Sequence, residues 1–150
     1  MKKTLFLILT LFAFFSHADE IPISKSASPG VVNIRLTGTG LSQFSIRHLD
    51  LPRGYLGNPM KIKNIQWQSA HYSTEGITET VKICYYPYGY GVKKPEHCKT
   101  ISPNASGDTE EFQSMRFGYE SRVTIRHELE GGRLTAYPTG TDKITIHYQK

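Results

Sequence analysis

Residues 121–129 read SRVTIRHEL, and alternation of this kind limits the fold more than any other property of the chain. Val123, Ile125, His127 and Leu129 fall on one side of an extended strand, with Arg122, Thr124, Arg126 and Glu128 on the other. Side chains alternate faces in a strand, so such a run buries one face and wets the other. The pattern recurs. VVNIRL (31–36) sets Val32, Ile34 and Leu36 against Asn33 and Arg35, and QFSIR (43–47) sets Phe44 and Ile46 against Arg47. TETVKICYY (78–86) aligns Val81, Ile83 and Tyr85, and KITIHY (143–148) aligns Ile144, Ile146 and Tyr148.

In MKIKNIQWQ (60–68) the phase slips. Met60 and Ile62 share a face, and beyond Asn64 the apolar positions become Ile65 and Trp67. A one-residue slip predicts a β-bulge. Short alternating runs separated by Gly, Pro, Asn and Asp clusters predict an all-β protein, an antiparallel two-sheet β-sandwich. Glu130-Gly131-Gly132-Arg133 predicts a hairpin turn. Thr109 to Tyr119 fits a helix through Phe112, Met115 and Tyr119, and equally a strand through Phe112. The strand is the reading preferred here.

Residues 1–18 predict a secretory signal peptide. Lys2 and Lys3 precede the apolar run Leu5 to Phe15, and Ser16 and Ala18 supply the small residues of a cleavage site. The run is too short for a comfortable bilayer span, and no later segment is apolar enough to cross, so no stable membrane insertion is expected after cleavage. The mature chain, 19–150, suits one β-sandwich domain. Losing Lys2 and Lys3 takes the formal charge from +5 to +3, too mild a balance to name a partner. The expected compartment is the periplasm.

The only two cysteines, Cys84 and Cys98, flank a tyrosine-rich loop in ICYYPYGYGVKKPEHCKTI (83–101). In an oxidising compartment such a pair predicts a structural disulfide. A metal site using Cys84, Cys98 and His97 would lack the paired ligand spacing zinc prefers, so no metal and no cofactor are expected. Tyr85, Tyr86, Tyr88 and Tyr90, with the Gly131-Gly132-Arg133 turn, form the candidate interaction surface, because tyrosine is both apolar and hydrogen-bonding.

No nucleophile elbow, P-loop, zincin or dinucleotide motif occurs. His48, His71, His97, His127 and His147 are scattered singly, and a hydrolase built on His48 and Asp50 would rest on residue types alone. The expectation is that the chain is not an enzyme. His127, inward among Val123, Ile125 and Leu129, reads as a hydrogen-bonded core histidine. Lys61, Lys63, Lys82, Arg122, Arg126 and Lys143 fall on outward strand faces, so no nucleic acid is expected as a partner.

Several residues together resemble the FlhE family of flagellar proteins. They are the strand Ile65-Gln66-Trp67, the run Val81-Lys82-Ile83-Cys84 with a second Cys at 98, the ending Glu128…Gly131-Gly132-Arg133-Leu134, and the closing Ile144, Ile146 and Tyr148. The resemblance is clearest from Met60 to Lys150. It implies a periplasmic accessory of flagellum biogenesis without enzymatic activity. Such a protein acts by protein–protein binding as a chaperone or regulator of flagellar type III export that limits proton leakage. Its implied partners are export or rod/hook components. The loop between the cysteines is longer here than the family leads one to expect, and no family role is carried onto it. The contrasting expectation is a secreted carbohydrate- or surface-binding module, lectin- or adhesin-like, using the tyrosines to stack on sugar rings.

Overall fold

The computed structural model describes residues 21–55, 60–88, 95 and 97–150. The signal-peptide reading and Tyr90 therefore lie outside the described residues. The strands are β1 (Ile23–Ala27), β2 (Val32–Ile34), β3 (Thr37–Ser45), β4 (Met60–Gln68), β5 (His71–Tyr72), β6 (Thr78–Tyr86) and β7 (His97–Ile101). They continue with β8 (Ser106–Thr109), β9 (Arg116–Phe117), β10 (Arg122–Glu130), β11 (Leu134–Ala136), β12 (Pro138–Thr139) and β13 (Asp142–Gln149). One 3-10 turn, His48–Asp50, follows β3, and the described residues hold no α-helix.

One sheet runs β1-β13-β4-β8, with β9 also paired to β4, and the other runs β3-β10-β6-β7. Every pairing is antiparallel. Ile62, Ile65, Ile144 and Ile146 from the first sheet meet Phe44, Val81, Ile83, Tyr85, Val123 and Ile125 from the second in one core. That is the expected sandwich. Each such side chain contributes about 1.5–3 kcal/mol by leaving water. Two short ladders, β2–β11 and β5–β12, close one end over a second cluster of Val32, Ile34, Tyr72, Leu129 and Ala136.

The phase slip in β4 is a bulge. His147 faces Asn64 and Tyr148 faces Ile62, which leaves Lys63 without an opposite residue. Other expectations need correction. Leu36 is exposed, because β2 ends at Ile34 and the chain turns out before β3. Between β8 and β9, residues 110–114 form a turn, neither helix nor strand, though Phe112 is fully buried. Burial of one aromatic ring needs no regular element beneath it. The Gly131-Gly132 turn makes no hairpin: β10 pairs β3 and β6, while β11 leaves to pair β2.

Gly131 has φ +134, and a Cβ there would lie 2.5 Å from the Gly76 carbonyl oxygen. Its N–H donates to the Leu36 carbonyl at 3.3 Å, so the position is fixed on two sides. Gly131→Ala should therefore cost about 1–3 kcal/mol. Gly132→Ala, where the nearest atom is the mobile end of Leu134, should cost less. Urea midpoints of the two variants measure this, and equal losses would count against the close approach.

Candidate functional site

The tyrosines divide between core and surface. Tyr85 is 0% exposed, and its hydroxyl donates to the Arg116 carbonyl. Tyr86 is 5% exposed, with the Arg122 guanidinium 4.1 Å from its ring centroid. Neither can act as a surface contact in the folded chain. Tyr85 shares the inward phase of Val81 and Ile83, which already placed it in the core. Tyr88 is 59% exposed, and the Arg116 guanidinium stands 5.0 Å from its ring.

The structure also separates the two halves of the expected surface. In the β6–β10 ladder Tyr86 faces Arg122 at one end and Thr78 faces Glu130 at the other. The tyrosines and the Gly131-Gly132-Arg133 turn therefore lie at opposite ends, about 27 Å apart at strand rise. They form no joint surface. Cys84 and Cys98 face each other across β6–β7 and are bonded, S–S 2.06 Å, which settles the disulfide and removes their thiolates as metal ligands.

What the tyrosine end does present is a ridge built on Arg116. Its guanidinium donates to the carbonyls of Pro87 and Tyr119, tying the β6 tip to the segment before β10. The Ser121 hydroxyl donates to the same Pro87 oxygen at 2.9 Å. Tyr119, so placed, stacks on His48 at 3.7 Å between centroids. Leu49 beside it is 98% exposed. Tyr88, Arg116, Tyr119, His48 and Leu49 thus form one held row of aromatic, cationic and apolar groups. Tyr and Arg on a rigid base, with an apolar neighbour, are the composition of protein-binding hot spots. His48 and Asp50 do not come together as a catalytic pair, because Asp50 turns to Lys25 at 2.8 Å while His48 stacks on Tyr119.

A second constellation lies inside. His127 is completely buried between two carboxylates: Nδ1 is 2.6 Å from Glu79 Oε1, and Nε2 is 3.0 Å from Asp142 Oδ2. Asp142 also accepts from the Ser42 hydroxyl and, at 2.7 Å, from the Ala70 N–H. Glu79 accepts from the Tyr72 N–H at 3.1 Å. Burial alone would lower the His127 pKa. The hydrogen bonds to Asp142 and Glu79, and then their charges, overcome that and raise it to about 9. The ring is an imidazolium at neutral pH, donating from both nitrogens.

Burial and the nearby Glu79 and Asp142 charges push the Tyr72 hydroxyl up to about 12, so it stays protonated and donates to the Gly30 carbonyl at 2.6 Å. The cluster joins β10 and β6 of one sheet to β13 of the other, between the main core and the second cluster. Such an arrangement holds sheets together.

Sequence reading singled out His127 and missed its partners. The signal was present: Asp142 is in phase with Ile144 and Ile146, and Glu79 with Val81 and Ile83. An acid on the apolar face of a strand asks for a buried cation.

No protein-family model matches this chain, nor does any curated protein. Among solved structures the chain is similar to the crystal structure of FlhE. The TM-score is 0.55 over 89% of this chain and 100% of that one, at 17% identity. The likeness is one of fold and bears out the resemblance at that level.

Proposed function

We propose that this chain is a periplasmic accessory protein of flagellum biogenesis that works by binding other proteins and catalyses no reaction. In this reading it serves as a chaperone or regulator of flagellar type III export, limiting proton leakage, with export or rod/hook components as partners. The FlhE-like fold supports the flagellar assignment. The row Tyr88–Arg116–Tyr119–His48–Leu49 is the observation that carries binding as the mode of action. The leader read at residues 1–18 supports the compartment. No described helix is long and apolar enough to cross a membrane.

An in-frame deletion should alter swimming, swarming or flagellar secretion, and the wild-type gene should restore them. Leu49→Asp and Tyr88→Ala, both surface changes, should cut complementation by half or more at unchanged protein level. A deletion strain that swims, swarms and secretes like its parent would remove the flagellar reading. The carbohydrate-binding alternative keeps Tyr88 as its one described exposed ring from the loop, since Tyr85 and Tyr86 are buried. Glycan-array binding lost in Tyr88→Ala would favour it.

A further inference from the structure

Among the described residues β3 pairs β10 on one side only, which leaves its other edge, toward β1, without a ladder partner. Its backbone groups alternate in direction. Ile46, just beyond it, donates to the Ser121 carbonyl at 2.9 Å and accepts from the Glu120 N–H at 3.3 Å, toward β10. The Leu41 N–H turns the other way, onto the Pro29 carbonyl at 3.1 Å. Even-numbered residues therefore serve the ladder and odd-numbered ones face the edge.

The first part of that edge is covered. Pro29 occupies Leu41, and Gly38 packs so closely on Val32 that a Cβ would lie 2.4 Å from Cγ1. Beyond this cover, the Gln43 N–H and C=O face a groove of about 280 Å³, lined by Lys25, Ser26, Gln43, Phe44, Ser45 and Arg47. Its charge is positive. Among the described residues that line it only Lys25 and Arg47 are charged. Asp50 beside them holds Lys25 at 2.8 Å and accepts from the Arg47 N–H at 2.7 Å, while the Arg47 side chain is exposed. Arg47 leads straight into His48 and Leu49 of the ridge.

We infer that this edge takes an extended segment of another polypeptide by strand addition. The segment pairs its backbone with Gln43, sets a carboxylate against Arg47 and carries an apolar side chain on toward Leu49 and Tyr119. Main-chain pairing supplies affinity in such complexes, and the alternate side chains supply selectivity. The inference rests on the reading of this end as a protein-binding surface. A second copy of the chain fits less well, because its own edge carries the same Lys25 and Arg47 and two basic grooves would face each other.

The test uses the purified chain and short random peptides displayed on phage. Enriched peptides should alternate in polarity and carry Asp or Glu at a fixed position. Bound as synthetic peptides, they should slow hydrogen exchange at the Gln43 amide. Gln43→Pro, which removes an N–H outside the ladder, should weaken them by about tenfold or more, whereas Gln43→Thr keeps the N–H and should bind as before. Arg47→Glu tests the charge without touching the backbone, and should weaken the same peptides. Three results would overturn the inference: no peptide selected at this edge, equal binding by the Pro and Thr variants, or a native dimer that Gln43→Pro splits. Peptide binding is read on the isolated protein and motility in cells, so this inference and the flagellar reading can fail separately.

Discussion

Asp142→Ala should lower the stability of the folded chain by about 3–5 kcal/mol, the usual range when one partner of a buried ion pair is removed. The substitution strands two donors, the His127 Nε2–H and the Ala70 N–H, and leaves the Ser42 hydroxyl only the Ala27 carbonyl at 3.3 Å. It also leaves the imidazolium with Glu79 as its single counter-ion. Chemical denaturation at neutral pH measures the loss, and a change under 1 kcal/mol would sink the clamp.

The same cluster sets a pH dependence whose sign follows from His127. Its folded pKa, about 9, is above the unfolded value near 6.5, so its contribution is complete below about 6.5 and is lost as pH rises through about 9. The difference corresponds to about 3 kcal/mol across that window. Glu79 from β6 and Asp142 from β13 are the charges facing the ring, and Tyr72 from β5 stays neutral throughout. Urea midpoints should therefore fall from pH 6.5 to 9.5 in the wild type and much less in Asp142→Ala. A flat wild-type profile would mean that His127 is not held as the cation.

The Cys84→Ala/Cys98→Ala double variant should lose about 3 kcal/mol, the chain-entropy figure for a loop of this length. That corresponds to a melting temperature lower by about 10 °C. The strand at risk is β7. It sits at the sheet edge with four of its five residues exposed, and only Ile101 reaches the core. With so little apolar burial of its own, β7 depends on its link to β6. Amide exchange in β7 should then accelerate before exchange in β10, which is paired on both sides. A double variant whose β7 stays as protected as β10 would show that packing, not the bond, holds the edge.

The strands legible in the sequence were those whose alternation is written in large apolar residues: β2, β4, β6, β10, β13 and the Phe44 end of β3, whose earlier inward positions are Gly40 and Ser42. The bulge at Lys63 was legible too, because a phase slip moves Ile65 where Asn64 would have been inward. Strands built of small polar residues were not. ISKSA (β1) and SGDT (β8) pair as regularly as the rest, yet they present Ser, Lys, Gly and Asp, the vocabulary of loops. The ridge was hidden for another reason. His48 comes from the 3-10 turn, Tyr88 from beyond β6, and Arg116 and Tyr119 from β9 and the segment after it, and only the tertiary hydrogen bonds to Pro87 and Tyr119 bring them into one row. The Gly131 turn was recognised as a turn but not for its destination, because pairing partners are a property of the whole chain.

The pairing of β1 with β13 has a consequence for how the molecule forms. Ile23 lies opposite Ile146, so nearly the whole chain separates two residues that are neighbours in the sheet. β13 also stands between β1 and β4, so neither strand finds its place beside the other until the C-terminal strand arrives. Such long-range closure must be reached before its contacts repay the lost chain entropy, which places this fold among slow folders, on the order of milliseconds to seconds. A chain emerging N-terminus first would hold β1 and one side of β4 unpaired until β13 has been made. Completion waits on the last eight-residue strand, which carries Asp142 to its place against His127.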